Sequence, residues 1–175
     1  MEMIRNILIT GNRQVGKSTL LNHILTECQK EYVGYRTLPH IAVPIGYTYV
    51  MQDITTQETM HISFYDGKKM IGIDDTFSDL GVRCLKHALV CSSEIVVLDE
   101  LGRFEQNNQA FIQAVHDLLD SKKWVFAIIK NEPIAYLEQI KQRKDCQLYD
   151  LNILSFKEAK QMIISKIHMK GDYDE

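Results

Sequence analysis

The segment Gly11-Asn12-Arg13-Gln14-Val15-Gly16-Lys17-Ser18 lies between two patterned stretches. Before it runs the apolar segment Asn6 to Thr10, and after it Leu20, Leu21, Ile24, Leu25 and Cys28 recur at helical spacing. The order is therefore strand, glycine-bearing loop, helix, and the loop fits G-x-x-x-x-G-K-[ST] without a mismatch. Glycines at these positions let backbone N–H groups turn inward around phosphate oxygens, where a side chain would clash. A helix starting at Lys17 aims its positive end at the same anion. In such a loop Lys17 reaches the β- and γ-phosphates of a nucleoside triphosphate, and the Ser18 hydroxyl ligates Mg²⁺. Gly11, Asn12, Arg13, Gln14, Val15, Gly16, Lys17, Ser18 and Thr19 are the candidate nucleotide contacts, although Arg13 reads equally well as a solvated loop residue.

The rest of the chain supplies a matching scaffold. From Thr76 onward apolar runs alternate with helical spacing. Phe77, Leu80, Cys84, Leu85, Ala88 and Leu89 mark a helix, and Glu94 to Leu98 a buried strand. Phe111, Ile112, Val115, Leu118 and Leu119 mark another helix, and Trp124 to Ile129 another strand. A helix after Pro133, a strand over Cys146 to Leu151 and a closing helix through Ile167 complete the series. Strands that are continuous apolar runs separated by helices predict a parallel sheet covered on both faces. Residues from Val33 to about Asp74 differ, being rich in β-branched and aromatic types, with Asp66-Gly67 as a hairpin signal. We expect one domain over residues 1–169, with a β-rich insertion at about 33–74 and a polar, acidic tail at 170–175 that is disordered.

The strand Ile95-Val96-Val97-Leu98 runs into Asp99 and Glu100. Opposite a phosphate loop, an aspartate at such a strand end holds Mg²⁺, and a glutamate next to it polarises the attacking water. Asp99 is then the metal carboxylate and Glu100 the base, their side chains diverging by strand alternation. An N-K-x-D guanine signature is absent from the sequence, since Lys130-Asn131-Glu132-Pro133 is not one.

A net charge of -3 gives no general basic footprint for nucleic acid. The apolar runs are too short to span a bilayer. Four cysteines in or beside apolar stretches, with no leader-like start, fit free thiols in a cytoplasmic protein.

The segment Asp99-Glu100-Leu101-Gly102-Arg103-Phe104-Glu105 resembles the D-E-[IL]-G-[KR]-x-E signature of the small nucleoside triphosphatases first found in thermophiles, whose animal member is the cancer-related nucleoside triphosphatase. Gly34-Tyr35-Arg36-Thr37 resembles that family's G-F-x-T, and the similarity covers nearly the whole chain. The resemblance implies an α/β fold of the P-loop NTPase kind, a RecA-like three-layer sandwich with a mostly parallel central sheet and a small β-hairpin insertion. It also implies Mg²⁺-dependent, slow hydrolysis of several nucleoside triphosphates, with Lys17, Glu100 and Arg103 catalytic and Ser18 and Asp99 on the metal. Arg103 stands where the family usually has lysine, and Glu105 could hold it. The family's Asn-Arg pair before the final helix is missing from Asp150-Leu151-Asn152-Ile153-Leu154-Ser155-Phe156, and Pro39 falls where an acid is common.

Other residues carry weaker signals. Cys84, His87 and Cys91 share one helix face, better explained by packing than by metal. Arg36 and Arg83 could stabilise charge or simply be solvated. Lys130 and Asn131 end a strand where similar folds sense a γ-phosphate. Two functions compete with hydrolysis: a P-loop kinase of a nucleoside or other small molecule, and a non-enzymatic nucleotide-binding switch.

Overall fold

The computed structural model describes residues 3–40 and 44–168. The tail expected at 170–175 lies outside them. One eight-stranded sheet organises the chain, in the order β5-β4-β3-β2-β6-β7-β1-β8. Its parallel part consists of β1 (Asn6–Thr10), β2 (Tyr32–Pro39), β6 (Ile95–Leu101), β7 (Trp124–Ile129) and β8 (Cys146–Asp150). Three antiparallel strands, β3 (Gly46–Asp53), β4 (Thr59–Tyr65) and β5 (Met70–Gly72), continue the same sheet beyond β2.

Residues 33–74 therefore divide. Most of β2 belongs to the parallel core, and the remainder forms the hairpin extension. The Asp66-Gly67 signal is where β4 turns into β5: the Asp66 carboxylate accepts from the N–H groups of Lys68 and Lys69, each at 2.8 Å. That is an Asx-type turn closing the loop on itself.

Strand alternation explains the layers. Ile7, Ile9, Ile95, Val97, Phe126 and Ile128 face α1 (Lys17–Cys28) and α6 (Phe156–His168). Leu8, Val96, Leu98, Val125, Ala127 and Ile129 face the opposite way. On that side pack α3 (Val82–Val90), α4 (Gln109–Leu119) and α5 (Ala135–Lys141). A short α2 (Asp74–Thr76) and a π-helical turn, Phe77–Gly81, lead into α3. Both faces are covered, so every residue of β7 is buried. This is the three-layer α/β/α sandwich expected from the sequence.

The connections position the site. β1 leads into α1 on one face, whereas β7 leads into α5 on the other. Loops leaving these neighbouring strands diverge, opening a crevice at the carboxyl edge of the sheet.

Candidate nucleotide site

The glycine loop joins β1 to α1 as anticipated, and α1 begins at Lys17. Gly16, at φ 104°, takes the position before the helix in a left-handed conformation, and no side chain caps the helix start. Its first N–H groups are left for an anion. Lys17 Nζ donates to the carbonyls of Gly11 at 2.9 Å and Asn12 at 2.7 Å. Burial lowers its pKa, opposed by the charges of Glu100 and Asp99. The outer side of the loop is braced from the far end of the chain. Asn12 N–H donates to Asn152 Oδ1 at 2.9 Å, and Asn152 Nδ2 returns a bond to Asn12 Oδ1 at 3.3 Å.

The strand carrying the acids is longer than expected. It runs to Leu101, so Asp99 and Glu100 lie inside it and not at its end. The cause is pairing on both sides: Asp99 stands opposite Arg36 of β2 and Ile128 of β7. The β7 register then slips between Asp99 and Leu101, leaving Glu100 out of the ladder. The Tyr35 hydroxyl donates to the Glu100 carbonyl at 3.1 Å and fixes the main chain there.

Ser18 Oγ donates to Asp99 Oδ2 at 3.4 Å. Burial, and then the Glu100 charge, push the Asp99 carboxyl up to about 6, with Arg36 and Ser18 opposing. Glu100 Oε1 lies 3.1 Å from Lys130 Nζ. Gly11, Asn12, Arg13, Lys17, Glu100, Arg103 and Lys130 line one cleft of ≈ 780 Å³. Gln14, Val15, Gly16, Ser18 and Thr19 are not on its wall, and neither is Asp99. The cleft continues to Thr48, Tyr49 and Phe77, so the hairpin extension forms its other side.

This loop, acid pair and sheet order are shared with known proteins. The family model described as NTPase matches residues 6–167. The chain belongs to the NTPase family. It is 30% identical over 152 residues to the nucleoside-triphosphatase THEP1 of Thermotoga sp. (strain RQ2), covering 83% of this chain and 86% of that one. It is 26% identical over 170 residues to the human cancer-related nucleoside-triphosphatase, covering 85% and 89%. The crystal structure of THEP1 from the hyperthermophile Aquifex aeolicus shares the fold, with a TM-score of 0.71 at 22% identity over 91% of this chain and 97% of that chain.

Within this member of the NTPase family, the loop after Glu100 departs from the sequence expectation in one respect. Arg103 is exposed, and its guanidinium stands over the Phe104 ring at 5.4 Å. Glu105 does not hold it. Glu105 is buried and turns inward: its Oε1 accepts from Gly102 N–H at 2.6 Å and from the Tyr136 hydroxyl at 2.7 Å. A buried carboxylate is better satisfied by such fixed donors than by a solvent-seeking guanidinium. Tyr136 lies on α5, 31 residues further along the chain, and no local pattern links it to Glu105. Asn152 reaches the loop from the segment that lacks the family's Asn-Arg pair, and nothing in its local sequence marks that contact.

Burial pushes the Glu105 carboxyl up to about 7, against the opposing Gly102 and Tyr136 bonds. The folded protein therefore holds this proton more tightly than the unfolded chain, whose value is near 4.5. The associated stability is fully present below about pH 4.5 and is lost as pH rises through about 7, a change of about 3 kcal/mol. Glu105→Gln keeps an acceptor for both donors and removes the ionisation. The gap in Tm between variant and wild type is expected to shift in the variant's favour by on the order of 10 °C from pH 5 to pH 8. Parallel melting curves across that range would refute it.

The remaining sequence candidates lie elsewhere. Arg83 donates to Asp79 at 2.6 Å and pairs with Glu58 at 3.0 Å on the surface. Cys84 is buried in the core, and no group of three metal-capable side chains occurs among the described residues. Arg36 stays near the site, its guanidinium donating to the Tyr32 hydroxyl at 3.0 Å. No helix among the described residues is long and apolar enough to cross a membrane.

Proposed function

We propose that this chain hydrolyses Mg²⁺-bound nucleoside 5'-triphosphates to the diphosphate and phosphate, with little discrimination among bases. The observation that carries the reading is the meeting of the phosphate loop and the acid pair: Ser18 against Asp99, with Lys17 and Glu100 on one cleft wall. Ser18 and Asp99 offer the hydroxyl and carboxylate oxygens that Mg²⁺ takes from proteins. Burial makes the Asp99 charge costly, and its hydrogen-bond partner is a neutral hydroxyl, a setting that a divalent cation would relieve. Bound there with nucleotide, Mg²⁺ would neutralise charge on the β- and γ-oxygens.

The protein groups supply the rest. Lys17 now donates to two loop carbonyls, and a triphosphate would offer it charged acceptors in their place. Glu100 takes the proton of the attacking water. Arg103, exposed at the cleft, adds positive charge as the phosphoryl group transfers. Thr19 and the loop N–H groups hold the phosphates. The missing guanine signature argues against selection of guanine alone, and Lys130, Asn131 and Glu132 line the cleft with Glu100. One sheet spans these elements, which supports reading residues 1–169 as one domain.

Phosphate release from ATP, GTP, CTP and UTP, with Mg²⁺ or with EDTA, tests this. Release from all four that EDTA and Lys17→Ala abolish is expected. Asp99→Asn should raise the Mg²⁺ needed for half-maximal rate at least about tenfold. Nucleotide binding without release would overturn the reading. The extent of the cleft favours one second reading, a phosphoryl acceptor seated near Thr48, Tyr49 and Phe77. Triphosphate consumption that depends on an added nucleoside would support it.

A further inference from the structure

We propose that Glu105 is a positioning residue for turnover: with Tyr136 it holds the peptide leading into Arg103 while its carboxyl carries a proton, and it lets that peptide go on ionising. The inference rests on the reading of the site as hydrolytic, with Arg103 adding charge at the phosphoryl group. β6 ends at Leu101, and the chain turns at Gly102, between the cleft residues Glu100 and Arg103. The Leu101–Gly102 peptide is held at both ends. Its carbonyl accepts from Lys130 N–H at 3.0 Å, and its N–H donates to Glu105 Oε1 at 2.6 Å. The next peptide, Gly102–Arg103, has its carbonyl 2.6 Å from the Tyr136 hydroxyl. That hydroxyl also lies 2.7 Å from Glu105 Oε1.

The supply of protons governs this cluster. Both contacts of the Tyr136 oxygen are at O–H···O distance, and each needs a hydrogen between its two oxygens. Tyr136 brings one. A protonated Glu105 brings the other: the acid donates to the Tyr136 oxygen, and the hydroxyl donates to the Gly102 carbonyl. Once ionised, Glu105 has none to give. The hydroxyl then turns to the carboxylate, because a bond to a charged acceptor is stronger than one to a peptide carbonyl. The carbonyl of buried Gly102 is left facing an oxygen with no hydrogen between them, and the Gly102–Arg103 peptide shifts to relieve it. Ionisable groups face Glu105 from three elements: Tyr136 on α5, Tyr35 on β2 and Glu100 on β6. Burial raises both tyrosine hydroxyls, so they keep their protons, and burial pushes Glu105 up to about 7. The proton of Glu105 is therefore the one in this cluster that leaves near neutral pH, and Arg103 loses its fixed mounting with it.

The Gly102 amide proton reports the clamp, since it donates to Glu105 Oε1. In the nucleotide-free chain its magnetic resonance signal should move with a midpoint at about 7, and Glu105→Gln should abolish the movement. Turnover at saturating nucleotide should fall at least about threefold from about pH 6.5 to about pH 8.5. Glu105→Gln should flatten that decline, whatever rate it retains. Tyr136→Phe should flatten it too, at a rate at least about threefold below wild type near the acid end, because no hydroxyl then holds the Gly102 carbonyl in either state. Nucleotide affinity should stay within about twofold in both variants. A Gly102 signal that does not titrate would overturn the proton-dependent hold. A decline that persists in both variants, with rates merely lowered, would overturn the positioning role. The signal is read in wild type without nucleotide, so failure of the hydrolytic reading would show separately, as titration of Gly102 in a chain that releases no phosphate.

Discussion

Glu100→Gln should slow phosphate release by on the order of 10²- to 10⁴-fold while triphosphate affinity stays within a few-fold. The substitution keeps the shape of the side chain and removes its ability to accept a proton. The main-chain bond from Tyr35 to the Glu100 carbonyl does not involve the side chain and should survive. Loss of rate at constant affinity is the signature of a group that acts in the transition state. A single-turnover assay beside a binding titration separates the two quantities. Full turnover in the variant would remove Glu100 from the chemistry, and the charge of Lys17, Lys130 and Arg103 would then have to suffice.

An equally large effect, on folding, is expected at Gly34. This residue sits in β2 at φ 117°, a region that side chains other than glycine's rarely adopt. A Cβ there would overlap the carbonyl oxygen of Val97 in β6 and lie 2.9 Å from that carbonyl carbon. The obstacle is backbone of a central strand, which cannot rotate aside. Gly34→Ala must therefore push β2 off β6, just ahead of Asp99 and its partner Arg36. We expect a loss of about 4 kcal/mol or more, a large share of the stability of an ordinary domain. Gly67→Ala in the exposed β4–β5 turn provides the contrast. Among the described residues its Cβ would meet only Ile45 side-chain atoms, at 3.5 Å, and about 1 kcal/mol is expected from its φ of 94°. Urea unfolding followed by circular dichroism checks both. Equal midpoints for Gly34→Ala and wild type would mean that β2 yields easily.

Gly34 also shows what the sequence made legible and what it did not. Its place in a family-like G-Y-R-T string could be noted, but the reason for a glycine appears only when β2 lies against β6. Long apolar runs gave their elements away: Trp124–Ile129 is the strand expected, because burial on both faces leaves no polar position to blur the pattern. Strand ends were harder. Asp99 and Glu100 look like a terminus in sequence because they are charged, yet pairing with β2 carries the strand past them. The assignment of β2 to the core was equally hidden, since parallel neighbours come from distant segments. Side-chain partners across such distances left no local trace: Asn12 with Asn152, Glu105 with Tyr136 and Glu100 with Lys130 each join separate elements. Motifs of adjacent residues announced the phosphate loop and the acid pair, whereas the braces around them belong to tertiary structure.

The placement of β1 between β7 and β8 has a consequence for how the molecule is made. Its two partners, β7 and β8, are both made much later than β1 itself. About 120 residues must follow before the nearer partner exists, on the order of ten seconds of synthesis. Throughout that interval an apolar segment waits with both edges open, and the glycine loop lacks the amide of Asn152. Nucleotide can stabilise a finished molecule by mass action, but it has no assembled cradle to bind on a growing one. The nascent protein thus passes its most aggregation-prone period without help from its own ligand, and depends on whatever shields the amino-terminal strand until the last quarter of the chain arrives.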